Sequence, residues 1–181
     1  RNPGVRLALA NDPHTPPQLL RLLARQDGRE DLGVGLVRNP STPTDILFSL
    51  ARNEYLRRAL AYNLGAPPIL LAALVSDWDP AIRRAVARNP RTPTALLSKL
   101  TRDPDFWVRH SAALNPSTPP AALRQLASGD EFCLSRALAR NPSTPPAVLA
   151  ALAERDDPVI GEQLARRRAA APPASPASFG T

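Results

Sequence analysis

ARNPSTPPAVLAAL, residues 139–152, is the stretch whose reading decides the fold. It sets an asparagine, three prolines and a run of Ala and Leu where a catalytic motif would set glycines, histidines or paired acids. Proline fixes φ and has no amide donor, so it suits loops and helix starts. The Ala and Leu that follow are strong helix formers. The stretch reads as a loop, a helix start and one short apolar face.

The same order recurs along the chain. NDPHTPPQLLRLLA starts at Asn11, NPSTPTDILFSLA at Asn39, NLGAPPILLAALV at Asn63, NPRTPTALLSKLT at Asn89, NPSTPPAALRQLA at Asn115 and NPSTPPAVLAALA at Asn141. These anchor asparagines stand 28, 24, 26, 26 and 26 residues apart. Each copy reads as two short helices. In helix A, the threonine after the anchor (Thr42, Thr92, Thr118, Thr144) is expected as N-cap, with the following proline in the first turn. Leucines eight and eleven residues after each anchor make one apolar face: Leu19 and Leu22, Leu47 and Leu50, Leu71 and Leu74, Leu97 and Leu100, Leu123 and Leu126, Leu149 and Leu152.

An acidic turn follows, as in SDWDP and RDPDF, and its last acid (Asp79, Asp105, Glu131, Asp157) is expected to cap helix B. Helix B carries Leu56, Ile82, Val108 and Leu134 seven before the next anchor, and Leu60, Val86, Ala112 and Leu138 three before it. Ala59, Ala85, Ser111 and Ala137, four before it, allow close approach of the next copy. A unit of about 26 residues with two thin apolar faces cannot fold alone, but stacking buries both. The expected fold class is all-α, a solenoid of about six two-helix repeats over residues 1–168 with no β-sheet. From Ala169, AAAPPASPASFGT reads as a disordered tail, 169–181. In GREDLGVGLV, two glycines in a helix B are expected to weaken it and permit bending. The copy at Asn63 has Ala66 in the threonine's place and is expected to be the weakest capped.

The stretch DPAIRRAVARNPRTPTALLSKL, from Asp79, resembles the leucine-rich repeat variant family. The resemblance covers roughly residues 3 to 168 and implies a right-handed superhelix of alternating α and short 3₁₀ helices. The repeats here, mostly 26 residues, exceed the family's usual unit, so a longer connecting turn is expected. The family can carry a cysteine-rich iron–sulfur module ahead of its repeats, and any such module would precede Arg1. The chain opens at Arg1 in mid-pattern and without methionine, which reads as a fragment or a processed piece.

Composition narrows the function. The 181 residues carry a net charge of +7 with 22 prolines and 4% aromatics, and Lys99 is the only lysine, so the basic surface is arginine. Cys133 is the only cysteine, which excludes an internal disulfide and a Cys-based metal site within the chain. With no long apolar run and no signal-peptide pattern, a cytoplasmic, non-membrane protein is expected. His14 and His110 are lone histidines expected to be solvated or structural, and Cys133 to be inert packing. No phosphate loop, GxSxG, HExxH or CxxC occurs. No cofactor, metal or small-molecule substrate is expected.

One feature is not demanded by the fold. Arg58, Arg84, His110 and Arg136 stand five before the anchor, Arg57, Arg83 and Arg109 six before it, and Arg38, Arg88 and Arg140 one before it. Positions five and one before the anchor share a helix face, so stacking aligns them into a stripe. These arginines either pair with acids of adjacent turns or offer an open basic surface. The expected partner-binding residues are Arg57, Arg58, Arg83, Arg84, Arg88, Arg109, Arg136 and Arg140. The expected function is a non-enzymatic scaffold for a protein partner, with sequence-nonspecific binding of nucleic-acid phosphates as the alternative. Tyr55, Tyr62, Trp78, Phe106 and Trp107 are read as not interleaved with the stripe, which disfavours single-strand recognition.

Overall fold

The computed structural model describes residues 2–26, 30–129 and 131–170. Among them the chain forms thirteen helices in order: α1 (Pro3–Asn11), α2 (Pro17–Gln26), α3 (Glu30–Arg38), α4 (Thr44–Leu50), α5 (Glu54–Tyr62), α6 (Pro68–Leu74), α7 (Pro80–Arg88), α8 (Thr94–Leu100), α9 (Phe106–Leu114), α10 (Pro120–Ala127), α11 (Phe132–Arg140), α12 (Pro146–Ala153) and α13 (Pro158–Ala170). Odd-numbered helices are the B helices and even-numbered ones the A helices. Among the described residues there is no strand and no 3₁₀ helix, so both helices of each repeat are α-helical. Helix α13 runs two residues past the expected end of the array. The expected tail otherwise lies outside the described residues.

The B helices pack side by side in one continuous row from α1 to α13, and each A helix rests on its B neighbours. Small residues allow the close spacing: Ala85, Ser111 and Ala137 are buried between successive B helices. The two glycines of α3 serve the same end. A Cβ on Gly35 would meet the Cβ of Ala10 in α1 at 3.0 Å, and one on Gly33 would meet Leu56 of α5 at 3.1 Å. They permit helix approach where bending was expected. The apolar face of the A helices fills the space beneath, with Leu47, Leu71, Leu97 and Leu123 fully buried. The resulting core follows the array as three successive clusters rather than one centred core.

Two local expectations are corrected. The helix A threonines are not N-caps. A proline holds that position in α4, α6, α8, α10 and α12, with no side-chain bond to the helix. The threonine hydroxyl instead donates to a carbonyl six residues back, in the last turn of the preceding B helix: Thr42 to Leu36 at 2.6 Å, Thr92 to Val86 at 2.6 Å, Thr118 to Ala112 at 2.6 Å and Thr144 to Leu138 at 2.7 Å. A hydroxyl can serve either helix end, and here it closes the open carbonyl end of helix B.

The first copy departs from the expected pattern by one residue. Its threonine, Thr15, donates to Leu9 and stands one residue later than the pattern requires. The structural anchor is therefore Asp12, which ends α1 and accepts the amide of His14. Helix α2 shifts by one residue with it. Leu20 and Leu23 are buried, whereas Leu19 is half-buried and Leu22 is 49% exposed.

The anchors link the repeats. Each side-chain amide donates to the backbone carbonyl of the preceding anchor: Asn39 to Asp12 (2.8 Å), Asn63 to Asn39 (3.2 Å), Asn89 to Asn63 (3.0 Å), Asn115 to Asn89 (3.1 Å) and Asn141 to Asn115 (2.8 Å). Each donates again to a second carbonyl, two residues earlier, and accepts an amide from its own loop through Oδ1. Arg167 stands 26 residues after Asn141 and continues the ladder, its guanidinium donating to the carbonyls of Asn141 (2.6 Å) and Ala139 (3.3 Å). The loops lie so close that a Cβ on Gly65 would collide with the Pro40 carbonyl, which explains glycine there.

Candidate functional site

The eight arginines read from the sequence separate into two groups. Arg57, Arg83 and Arg109, six before the anchor, are built into the joints between repeats. Arg83 places Nε and Nη2 on the two carboxylate oxygens of Asp103 at 2.7 and 2.8 Å, and Nη1 on the carbonyls of Asp77 and Trp78. Arg57 bonds the Ala51 carbonyl and Asp77, and Arg109 the Asp103 and Pro104 carbonyls and Glu131. In each case one guanidinium holds its own interhelix turn and the acid of the next. Arg136, one residue later in the pattern, holds only the acid of the next turn, gripping Asp157 at 2.9 and 3.2 Å while lying over the Phe132 ring at 4.1 Å. These four are committed to interrepeat ion pairs and do not offer free guanidinium groups.

The acids divide in the same way. Asp79, Asp105 and Asp157 cap α7, α9 and α13 through bonds from the amides of Ala81, Val108 and Val159. Glu131 makes no side-chain cap and serves Arg109 instead. Burial alone would raise the Asp103 carboxyl, but the bond from Arg83, the Asp105 amide and the charges of Arg83 and Arg109 outweigh it and hold it below the usual carboxylate range. The bond from Arg136 is the largest cause of the lowered Asp157 pKa, aided by the amides of Val159 and Ile160.

The second group comprises Arg58, Arg84, Arg88 and Arg140, to which Arg38 and His110 belong by position. No described carboxylate pairs with any of these arginines. They occupy positions five and one before the anchor, on the outer face of the B row. The residue eight before the anchor shares that face, because it is three before the fifth position and seven before the first. Tyr55, Arg58 and Tyr62 of α5 therefore form one line, as do Arg84 and Arg88 of α7, Trp107 and His110 of α9, and Cys133, Arg136 and Arg140 of α11. Tyr55 is 79% and Trp107 54% exposed. The aromatics thus do alternate with the arginines on this face, contrary to the reading from sequence order. The signal was present, since Tyr55 and Trp107 recur at one repeat position two copies apart.

His110 lies on this face with its ring 5.8 Å from Trp107 and 6.0 Å from Phe106. Burial, then the nearby charges of Arg88 and Arg140, hold its imidazole below the usual histidine pKa. It is half-buried rather than solvated, and its Nδ1, like Nε of Arg84, is buried without a hydrogen-bond partner. Cys133, expected in packing, is exposed on the same face. His14 is exposed and bonds Asp12 at 3.2 Å. A groove of about 480 Å³ opens between α3 and α5, lined by Val34, Leu56 and Ala59 with Arg38, Arg58, Tyr55 and Tyr62 around it. Among the described residues no three His, Cys, Asp or Glu side chains gather as a metal site. No described helix is long and apolar enough to cross a membrane.

A continuous row of B helices, A helices laid on it and anchors bonded from copy to copy define an α-helical repeat solenoid. A family model described as Leucine rich repeat variant matches residues 80–105, and one described as Leucine Rich Repeat Variant domain matches residues 109–168. Residues 80–168 accordingly carry repeats of the leucine-rich repeat variant family, as the sequence resemblance implied. The copies at Asp12, Asn39 and Asn63 share the same two-helix form. No curated protein and no solved structure matches the chain.

Proposed function

We propose that the protein is a non-enzymatic repeat scaffold that presents the outer face of its B helices to a protein partner. One observation carries this reading: from Arg38 to Arg140 that face bears arginines without acidic partners, with the exposed rings of Tyr55 and Trp107 beside them, while Arg57, Arg83, Arg109 and Arg136 are tied up between repeats. Arginine and aromatic side chains dominate the energetics of protein interfaces. Helical repeat proteins also lend themselves to extended binding surfaces.

Site-specific photocrosslinking tests the proposal. A photoreactive residue at Tyr55 or Trp107 should crosslink a protein partner in the source cell, and one at Ala121, on the exposed side of α10, should not. Equal crosslinking from both sides overturns the assignment of the face. The phosphate-binding alternative is read by titrating random duplex DNA at low and physiological salt. Tight binding that falls steeply with salt would replace the protein-scaffold reading, because counterion release marks phosphate contacts.

A further inference from the structure

Guanidinium groups without acidic partners recur on the B-helix face in α3, α5, α7 and α11 as Arg38, Arg58, Arg84 with Arg88, and Arg140, and α9 offers the half-buried imidazole of His110 in their place. Packed neighbouring helices stand about 8–10 Å apart. A peptide in the polyproline II conformation has three residues per turn and rises about 3.1 Å per residue, so every third side chain returns to one face after about 9 Å. That length matches one repeat. Building on the scaffold reading, we infer that the B-helix face takes an extended acidic peptide with a carboxylate at every third residue.

Three further observations support this occupant. The guanidinium fork suits a carboxylate, and these forks carry no described internal partner. Two polar atoms beside the face, Nε of Arg84 and Nδ1 of His110, have no hydrogen-bond partner among the described residues, so neither side chain is locked there by an internal bond. The groove between α3 and α5 has an apolar floor of Val34, Leu56 and Ala59 between Arg38 and Arg58, a place for an apolar side chain flanked by acids. Single-stranded nucleic acid fits less well. Reading one base per repeat requires a stacking surface in each repeat. Position eight before the anchor supplies a ring in α5 and α9 but Ala81 in α7 and Cys133 in α11.

Fluorescence anisotropy on the whole chain tests the inference with four labelled probes at low salt. One peptide carries glutamate at every third position between prolines. A second has the same composition with the glutamates in one block, a third has glutamine for glutamate, and the fourth probe is oligothymidylate. The spaced peptide should bind tightest, and the double variant Arg84→Gln/Arg88→Gln should weaken it about tenfold, while Arg124→Gln on α10 leaves it unchanged. Far-UV circular dichroism confirms that the variants are folded. Equal binding of the glutamine or block peptide, or no binding of the spaced peptide at about 1 mM, overturns the inference. In that case crosslinking at Tyr55 and Trp107 still decides the scaffold reading separately. Tighter, salt-steep binding of oligothymidylate removes both.

Discussion

Asn115 makes its three bonds through one side chain, donating to the carbonyls of Ala87 and Asn89 at 2.8 and 3.1 Å and accepting from the Ser117 amide. In Asn115→Ala two buried carbonyls lose their donor. Since an unmet buried polar group costs about 1–3 kcal/mol, the variant should lose about 2–5 kcal/mol, read as a lower urea midpoint with unchanged slope. Arg83 is a second such residue, because its removal strands the largely buried Asp103 carboxylate. Arg83→Met should cost about 2 kcal/mol at neutral pH. The sign with pH follows from the depressed Asp103 pKa: the stabilisation is present above the ordinary aspartate value of about 4 and is lost as the pH falls through the folded value. The gap between wild type and Arg83→Met should therefore be wide at neutral pH and narrow at acid pH, below the ordinary aspartate value. A constant gap across urea titrations at the two pH values would contradict the pairing. The recurrence of Asn and Arg was legible in the sequence, but their partners were not. The asparagine's acceptors are backbone carbonyls 26 and 28 residues away, a group every residue carries, and the acid facing Arg83 lies 20 residues on in another repeat.

Leu97 and Leu123 show what periodicity reveals at the scale of an element. Both fall eight after an anchor, both are fully buried in helices of seven and eight residues, and each helix depends on that one face for its packing. Leu97→Ala and Leu123→Ala should each cost about 2–5 kcal/mol. Leu22, eleven after Asn11 and so the counterpart of Leu100 and Leu126 by counting, points outward at 49% exposure, so Leu22→Ala should change stability by no more than about 0.5 kcal/mol, with Leu23→Ala the costly change instead. Chemical denaturation of the four variants checks the register of α2 directly. Counting from Asn11 misplaced that helix because Asn11 and Asp12 are both polar, and the backbone ends α1 at the second of them. The one cue was Thr15, a residue late. A similar ambiguity hid the work of the other threonines: a hydroxyl before a proline can accept an amide ahead or donate to a carbonyl behind, and only the folded turn selects the carbonyl.

The whole molecule sorts its charge by repeat position. Acids lie mainly in the turns, where they cap B helices or hold Arg57, Arg83, Arg109 and Arg136, whereas Arg38, Arg58, Arg84, Arg88 and Arg140 stand together on the outer B face without acidic partners. Net charge alone showed an excess of arginine, but separating committed from free side chains required the stack. The stack also makes stability nearly one-dimensional, because each repeat bonds chiefly to its neighbours. Arg167 tests this. Its guanidinium meets the carbonyls of Ala139, Asn141 and Pro142, standing where an asparagine stands in the earlier copies, and it holds α13 against α11. Arg167→Ala removes those bonds from the last link only. Amide hydrogen exchange should then lose protection in α13, at Leu164 and its neighbours, while the amides of α7 and α9 keep theirs. Asn115→Ala cuts the ladder in mid-array and should lower protection on both sides of the break. Equal loss across all helices in Arg167→Ala would mean that the array unfolds as one cooperative unit, and that the anchors couple repeats over the full length rather than link by link.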